Sequence, residues 1–255
     1  MKNFKLSIIA VVAAVTALAA VSCQKEDNTL YYNNLTMGNI VNGRFVSDQG
    51  NTFNIVEQTC EGKIDTLSRA ITLCDVLKET EGQEKEYDVR LRGYAPVLVK
   101  NAVKLEDAVS EEINVKDPIF IDQLWYSGGY INMLVKYPVD LSSKQSKHMV
   151  NLVWNVDEKG TYILELRHNA FGEVRSGSER DMYLAGGYVS FPLARLIGAD
   201  AAKLTFKWKW YKSAGGNWWT NEVIENAYEY DWLREGFEQV PQAASLSFKV
   251  PSKAE

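Results

Sequence analysis

His148 and His168 are the whole imidazole complement of the 255-residue chain. His168 stands in Arg167-His168-Asn169, where a cation, a candidate base and an amide follow one another. Neighbouring residues of a strand point to opposite faces, so the three cannot converge on one substrate atom. Placed at the end of an apolar strand, they read better as a strand end tied to a turn by hydrogen bonds and ion pairing. A metal centre would need both histidines plus carboxylates from elsewhere, and no HExxH-type spacing supplies them. No GxSxG elbow, P-loop or dinucleotide fingerprint occurs, and Gly128-Gly129, Gly186-Gly187 and Gly215-Gly216 fall where turns are expected. The paired acids Glu111-Glu112 and Asp157-Glu158 lie in charged stretches, away from the burial that raises a catalytic carboxyl. The expectation is a chain without a catalytic constellation, metal or cofactor. The enzymatic alternative is a hydrolase with dispersed carboxylates, which would need two of them about 5 to 10 Å apart in a pocket.

Thiol chemistry enters at three positions, Cys23, Cys60 and Cys74. No CxxC spacing or metal-type cluster joins them. Cys60 and Cys74 read either as a disulfide, worth about 3 kcal/mol for a loop of that length, or as two small apolar residues. A simple hairpin centred near Gly62 would leave the two thiols on different rungs. Cys23 is different, because it follows a secretory leader: Lys2 and Lys5 supply a basic start, and Leu6–Val21 is small and apolar. That run is shorter than the roughly 20 residues of a spanning helix. Ala20-Val21-Ser22-Cys23 resembles the lipobox of bacterial lipoproteins, with alanine where leucine is usual. The resemblance implies cleavage after Ser22 and a diacylated Cys23, and two acyl chains make a stable anchor where one is marginal. Gln24-Lys25-Glu26-Asp27 resembles the signal that sends Bacteroidetes lipoproteins to the outer face of the outer membrane. The expected location is therefore the outer membrane, lipid-anchored and exposed on the cell surface.

The elements that carry these residues read as strands. Aromatic residues make up 11% of the chain, and β-branched residues are frequent. Net charge is −5 with pI near 5.3, so no basic stripe invites nucleic acid. Residues 1–22 are the leader and 23–36 a polar tether. Gly38–Val56 is a hairpin around Asp48-Gln49-Gly50-Asn51, a further strand follows near Ile71–Leu77, and Tyr87–Val99 is interrupted by Pro96, which predicts an edge or a bend. Short strands of this kind over residues 37–116 predict an OB-like barrel. From Asp117-Pro118 onward, residues 117–255, strand and turn alternate regularly: Ile119–Tyr126, Tyr130–Tyr137, Met149–Trp154, Thr161–Leu166, Tyr188–Phe191 and Leu204–Tyr211. That spacing predicts a β-sandwich, with one short helix within Leu193–Ala202.

Asp117-Pro118-Ile119, Gly129-Tyr130-Ile131-Asn132, His148-Met149-Val150-Asn151-Leu152 and the run Leu164–Glu173 resemble the NigD-like proteins of Bacteroidales. With the lipobox and the Asp48-Gln49-Gly50 turn, the similarity spans residues 23–255. It implies an OB-like N-terminal domain followed by a β-sandwich, and it brings no established biochemical activity with it. Phe171 and Glu173 stand where related sequences often have tyrosine and aspartate. Asp65-Thr66-Leu67 resembles the short O-glycosylation site of exported Bacteroidetes proteins, which makes Thr66 a modification candidate; the competing reading is an exposed turn.

Phe206-Lys207-Trp208-Lys209-Trp210-Tyr211 alternates, so Phe206, Trp208 and Trp210 are assigned to the sandwich core and the lysines to solvent. After the turn at 213–217, Trp218 and Trp219 must face opposite sides if the chain is extended. One indole is then at least partly exposed and becomes a candidate ligand contact, against the simpler reading of hairpin packing. The functional expectation is a non-enzymatic surface lipoprotein, an accessory or interaction module held to the membrane by its lipid and meeting a protein or glycan partner. A glycan-binding surface protein is the special case.

Overall fold

The computed structural model describes residues 30–31, 35–139, 147–173, 183–193, 203–216 and 218–231. Cys23, the leader, most of the tether and nearly all of the helix expected within 193–202 lie outside them. The first six strands are β1 (Leu30–Tyr31), β2 (Thr36–Val41), β3 (Arg44–Ser47), β4 (Thr52–Gln58), β5 (Arg69–Glu79) and β6 (Glu86–Val99). β2 and β3 are joined by Asn42-Gly43, both at positive φ, the backbone that a two-residue hairpin turn requires. β3 pairs antiparallel with β4, β4 runs parallel to β6, β6 returns antiparallel to β5, and β5 closes on β2. The ring is a five-stranded, OB-like barrel. Phe45, Phe53, Ala70, Cys74, Val76, Val89 and Leu91 fill it, and Ile64 enters from the 3-10 turn Ile64–Thr66 between β4 and β5. β4 and β5 do not pair with each other. The segment around Gly62 is not a simple hairpin but a crossing between two unpaired strands, because β4 already has β3 and β6 as neighbours.

The remaining elements are β7 (Val103–Lys104), the single-turn helix α1 (Glu111–Asn114), β8 (Phe120–Ser127), β9 (Tyr130–Val139), β10 (Met149–Val156), β11 (Tyr162–Asn169), β12 (Tyr183–Pro192), β13 (Lys203–Gly215) and β14 (Trp218–Asp231). β12, β9 and β8 extend the barrel sheet, joined to it by parallel pairing of Tyr188–Ser190 with Val97–Val99 of β6. The facing sheet has the order β14-β13-β11-β10-β7. Between the two lie Met133, Leu152, Leu164, Phe191, Leu204 and Phe206, so the chain is all-β with a sandwich behind the barrel.

Pro96 neither ends nor splits β6. The β4 register on β6 stops at Leu91 and the β12 register starts at Val97, so Pro96 sits where that flank changes partner and no N–H is required. Burial along β5 is almost continuous rather than alternating. Its even residues face the barrel interior, while Ile71 packs with Met37, Val97 and Trp125 on the sandwich side. A strand covered on both faces loses its period-2 pattern.

Arg69, at the head of β5, joins the two halves. Its side chain and that of Asp48 are 0% and 1% exposed. Each of the five guanidinium N–H groups has an acceptor. Nη1 and Nη2 donate to the two Asp48 carboxylate oxygens at 2.8 and 2.6 Å, Nη1 also to Asn39 Oδ1, Nη2 also to Asn132 Oδ1, and Nε to Ser190 Oγ. The Tyr130 ring covers the guanidinium at 4.2 Å. Ser127 donates to Asp48, Ser190 donates to Asn132 Oδ1, and Asn132 Nδ2 donates back to Ser127 Oγ. Barrel residues 39, 48 and 69 are thereby bound to sandwich residues 127, 130, 132 and 190. Burying such ions costs several kcal/mol each, and only this complete set of partners offsets it.

Arg69→Met leaves the Asp48 charge buried without its partner, and the expected loss is about 3–5 kcal/mol of unfolding free energy, read as a fall in the urea midpoint. The double variant Arg69→Met, Asp48→Asn is expected to lose clearly less than the two single losses together.

Candidate functional site

The catalytic-looking trio is dispersed by the strand. Arg167 donates to Glu165 and to Asn114 of α1. Burial opposes ionisation of Glu165, yet hydrogen bonds from Lys116 and Arg167 hold its carboxyl below the usual range. Asn169 donates to the Glu112 carbonyl and accepts from the Phe171 N–H. His168 turns to the other side and meets Pro118. All three fasten the end of β11 to neighbouring segments, the structural reading of the motif.

What the spacing alone does not reveal is that His148 meets His168. β10 pairs with β11 so that Met149 lies opposite Asn169, which brings His148 beside the end of β11. His148 Nδ1 is 2.9 Å from His168 Nε2, and His148 Nε2 is 3.1 Å from Glu173 Oε2. His168 Nδ1 is 2.9 Å from the Pro118 carbonyl oxygen. The imidazoles are stacked, and the Tyr137 ring lies on His148 at 4.4 Å. Burial pushes His168 down to about 4, with the His148 charge acting in the same direction and the Pro118 hydrogen bond and Asp117 opposing it. Pro118 belongs to a segment wedged between strands. β11 and β13 stay paired only as far as Glu165 and Lys207; beyond that, Asp117 N–H donates to the His168 carbonyl and Ile119 N–H to the Lys209 carbonyl.

The other candidates separate. Cys60 and Cys74 are free thiols packed on the barrel core, so of the two readings the structure has the small apolar residues. Burial pushes the Cys74 thiol up to about 11, which makes it a poor nucleophile. Thr66 ends an exposed 3-10 turn, its hydroxyl donating to the Lys63 carbonyl. Glu111 and Glu112 are exposed on α1, and Asp157 caps its own turn by accepting from the Lys159 and Thr161 N–H groups.

The aromatic hairpin divides as alternation requires. Phe206 and Trp210 are buried and Trp208 half-buried on the inner face of β13. Trp219 is half-buried, its ring 5.5 Å from Trp210 at 83° and 6.4 Å from Phe120. Trp218 is 40% exposed. β14 is the outer strand of its sheet among the described residues, and Val223 and Tyr228 on it are 41% and 46% exposed. Lys207 pairs with Glu225 and Lys212 with Glu222 across the hairpin. Trp219→Ala is expected to cost about 2–3 kcal/mol through the lost edge-to-face packing, whereas Trp218→Ala should stay within about 0.5 kcal/mol. Chemical denaturation of the two variants side by side checks this asymmetry.

Residues 101–220 match the NigD-like C-terminal beta sandwich domain. No curated protein matches the chain. Among solved structures, a protein of unknown function from Bacteroides vulgatus ATCC 8482 superposes with a TM-score of 0.58 at 21% identity, over 80% of this chain and 92% of that one. A NigD-like immunity protein from Bacteroides caccae ATCC 43185 gives 0.51 at 18%, over 77% and 94%. A candidate lipoprotein from Bacteroides fragilis NCTC 9343 gives 0.53 at 16%, over 78% and 96%. At such identities the likeness is one of fold. The family match is to residues 101–220, which carry a NigD-like C-terminal beta sandwich domain, and the motifs at 117–119, 129–132, 148–152 and 164–173 all lie within it.

Proposed function

We propose that this chain is a non-enzymatic lipoprotein, anchored in the outer membrane through Cys23 and displayed at the cell surface, that works as an interaction module for a protein partner through the β13–β14 hairpin. The observation that carries the reading is the edge itself. Sheet edges are ordinarily blunted by lysine, proline, bulges or brevity. β14 is 14 residues long and contains no Lys, Arg or Pro, and it exposes Trp218, Val223 and Tyr228. Two of its acids are already neutralised by lysines of β13. A polypeptide can pair with such an edge and bury side chains on both faces. From Trp218 to Tyr228 the exposed residues span about 34 Å at strand rise, much more than one sugar ring covers. Val223 lies opposite Tyr211 and Tyr228 opposite Phe206, so they serve different faces, as strand addition requires. The Bacteroides caccae relative is named an immunity protein, and protein capture is what such a role would ask of this chain. A glycan reading rests on Trp218 alone, an exposed indole beside the turn.

The test compares capture of envelope proteins by the anchored full chain and by variants with Val223→Lys and Tyr228→Lys. A Val109→Lys variant is the control, since Val109 is 84% exposed and distant in sequence from the hairpin. A specific protein lost at least tenfold by the edge variants and kept by the control supports the reading. Equal capture by all forms, or binding only to glycans and sensitive only to Trp218→Ala, overturns it. Cys23→Ala should release the protein from the membrane fraction and abolish palmitate labelling.

A further inference from the structure

The Glu173–His148–His168–Pro118 chain has a direction that hydrogen-bond chemistry dictates. The Pro118 carbonyl can only accept, so His168 Nδ1 carries a hydrogen. With His168 neutral, its Nε2 can only accept, so His148 Nδ1 donates to it. The remaining bond, between His148 Nε2 and Glu173 Oε2, needs one proton between an imidazole and a carboxylate. Every position in the chain is then used, and one proton is held at the His148–Glu173 end. Within the imidazole pair a second proton finds no lone pair that is not already accepting a hydrogen bond. Placed on His168 Nε2, it sets N–H against N–H at a 2.9 Å separation inside a ring stack.

We infer that this chain is an acid-sensitive latch, which holds the Asp117–Ile119 wedge and the Ala170–Glu173 turn against the β10–β11 end at neutral pH and releases them when His168 is protonated. Release follows from what the bonds hold. His168 fixes Pro118 through its side chain and Asp117 through its carbonyl, while Asp117 Oδ2 accepts from Ala170 N–H. The groups around the rings do not rescue the cation. Asp117 favours it, but Asp117 is already engaged by Ala170. Glu173 is engaged by His148, Lys147 lies over the Phe171 ring, and Tyr137 and Tyr211 are phenols that burial keeps protonated. The sign follows from the direction of the shift. His168 sits lower in the folded chain than its ordinary 6.5, at about 4, so the open form binds more protons between those values. The latch is therefore complete above about pH 6.5 and is lost progressively as pH falls towards 4. The opening constant rises by roughly two orders of magnitude over that interval.

The chain's two histidines make the test direct. Imidazole nitrogen NMR on the intact protein should show His168 as the Nδ1–H tautomer with its midpoint far below that of a free histidine. Amide exchange, corrected for the intrinsic pH dependence, should show Asp117, Ile119 and Ala170 losing protection by about 100-fold between pH 7 and 4.5 while β5 amides of the barrel keep theirs. His168→Gln can still donate to Pro118 and accept from His148 but cannot be charged, so its protection should not change with pH. Acid release that persists in His168→Gln would assign the effect to Asp117 or Glu173 and overturn the latch. So would a wild-type His168 titrating near 6.5 without loss of protection. If the glutamine variant does not fold, the wild-type titration and exchange profile decide the matter alone.

Discussion

A guanidinium that reaches no water constrains everything around it. Arg69 is the largest fully buried side chain of the structure, and its five donors need five acceptors in one plane. Strand β5 can carry it only because the barrel closes against the sandwich at that point. The β3–β4 turn must deliver Asp48, β2 must deliver Asn39, and the sandwich strands must deliver Asn132 and Ser190 in register. Gly128 belongs to the same constraint, because a Cβ there would lie 2.2 Å from Asp48 Oδ1 and the residue also sits at φ +58°. The barrel and the sandwich sheet therefore form one nine-stranded surface with a shared polar core, rather than two beads on a linker.

The far end of the sandwich adds a neutral imidazole to the Arg167–Glu165 ion pair. There β11 and β13 diverge, and the segment 117–119 supplies backbone hydrogen bonds to both. His168 secures that segment through a neutral ring whose tautomer is dictated by a carbonyl. Arg69 holds its partners through a planar fork of five donors, each with an acceptor, so its network is fixed. The histidine chain depends on proton occupancy, so its grip varies with solution conditions. Residues that look catalytic as a list of types become positioning groups because adjacent strand residues diverge to separate neighbours.

Neither buried network faces the outer edge of the second sheet. β14 packs Trp219 on Trp210 and leaves Trp218, Val223 and Tyr228 partly exposed. The chemistry concentrated in the interior holds the scaffold, while these three are among the large apolar residues left exposed.

Much of the architecture was legible in residues 37–255 because strand period and turn chemistry are local. Gly50, Gly128-Gly129 and Gly160 mark turns through their backbone freedom, and the alternation from Phe206 to Trp210 shows which face is apolar, whereas the turn at Asn42-Gly43, which splits Gly38–Val56 into three strands, went unread. The same alternation required Trp218 and Trp219 to part company. The motif runs at 117–119 and 129–132 also pointed to the right places, since Pro118 and Asn132 each anchor a network. The contacts themselves were not legible. Arg69 lies 21 residues from Asp48, 63 from Asn132 and 121 from Ser190, and His148 lies 25 from Glu173. Such pairs exist only once the ring closes and the sheet registers are set, which depends on all strands together. Pro96 shows the same limit: its own geometry forbids a ladder bond on one side, but only the change of partner from β4 to β12 shows that no bond was needed there. The thiols were undecided for the same reason, because whether Cys60 meets Cys74 as a rung neighbour or across a barrel end is a property of topology, and local sequence carries no record of it.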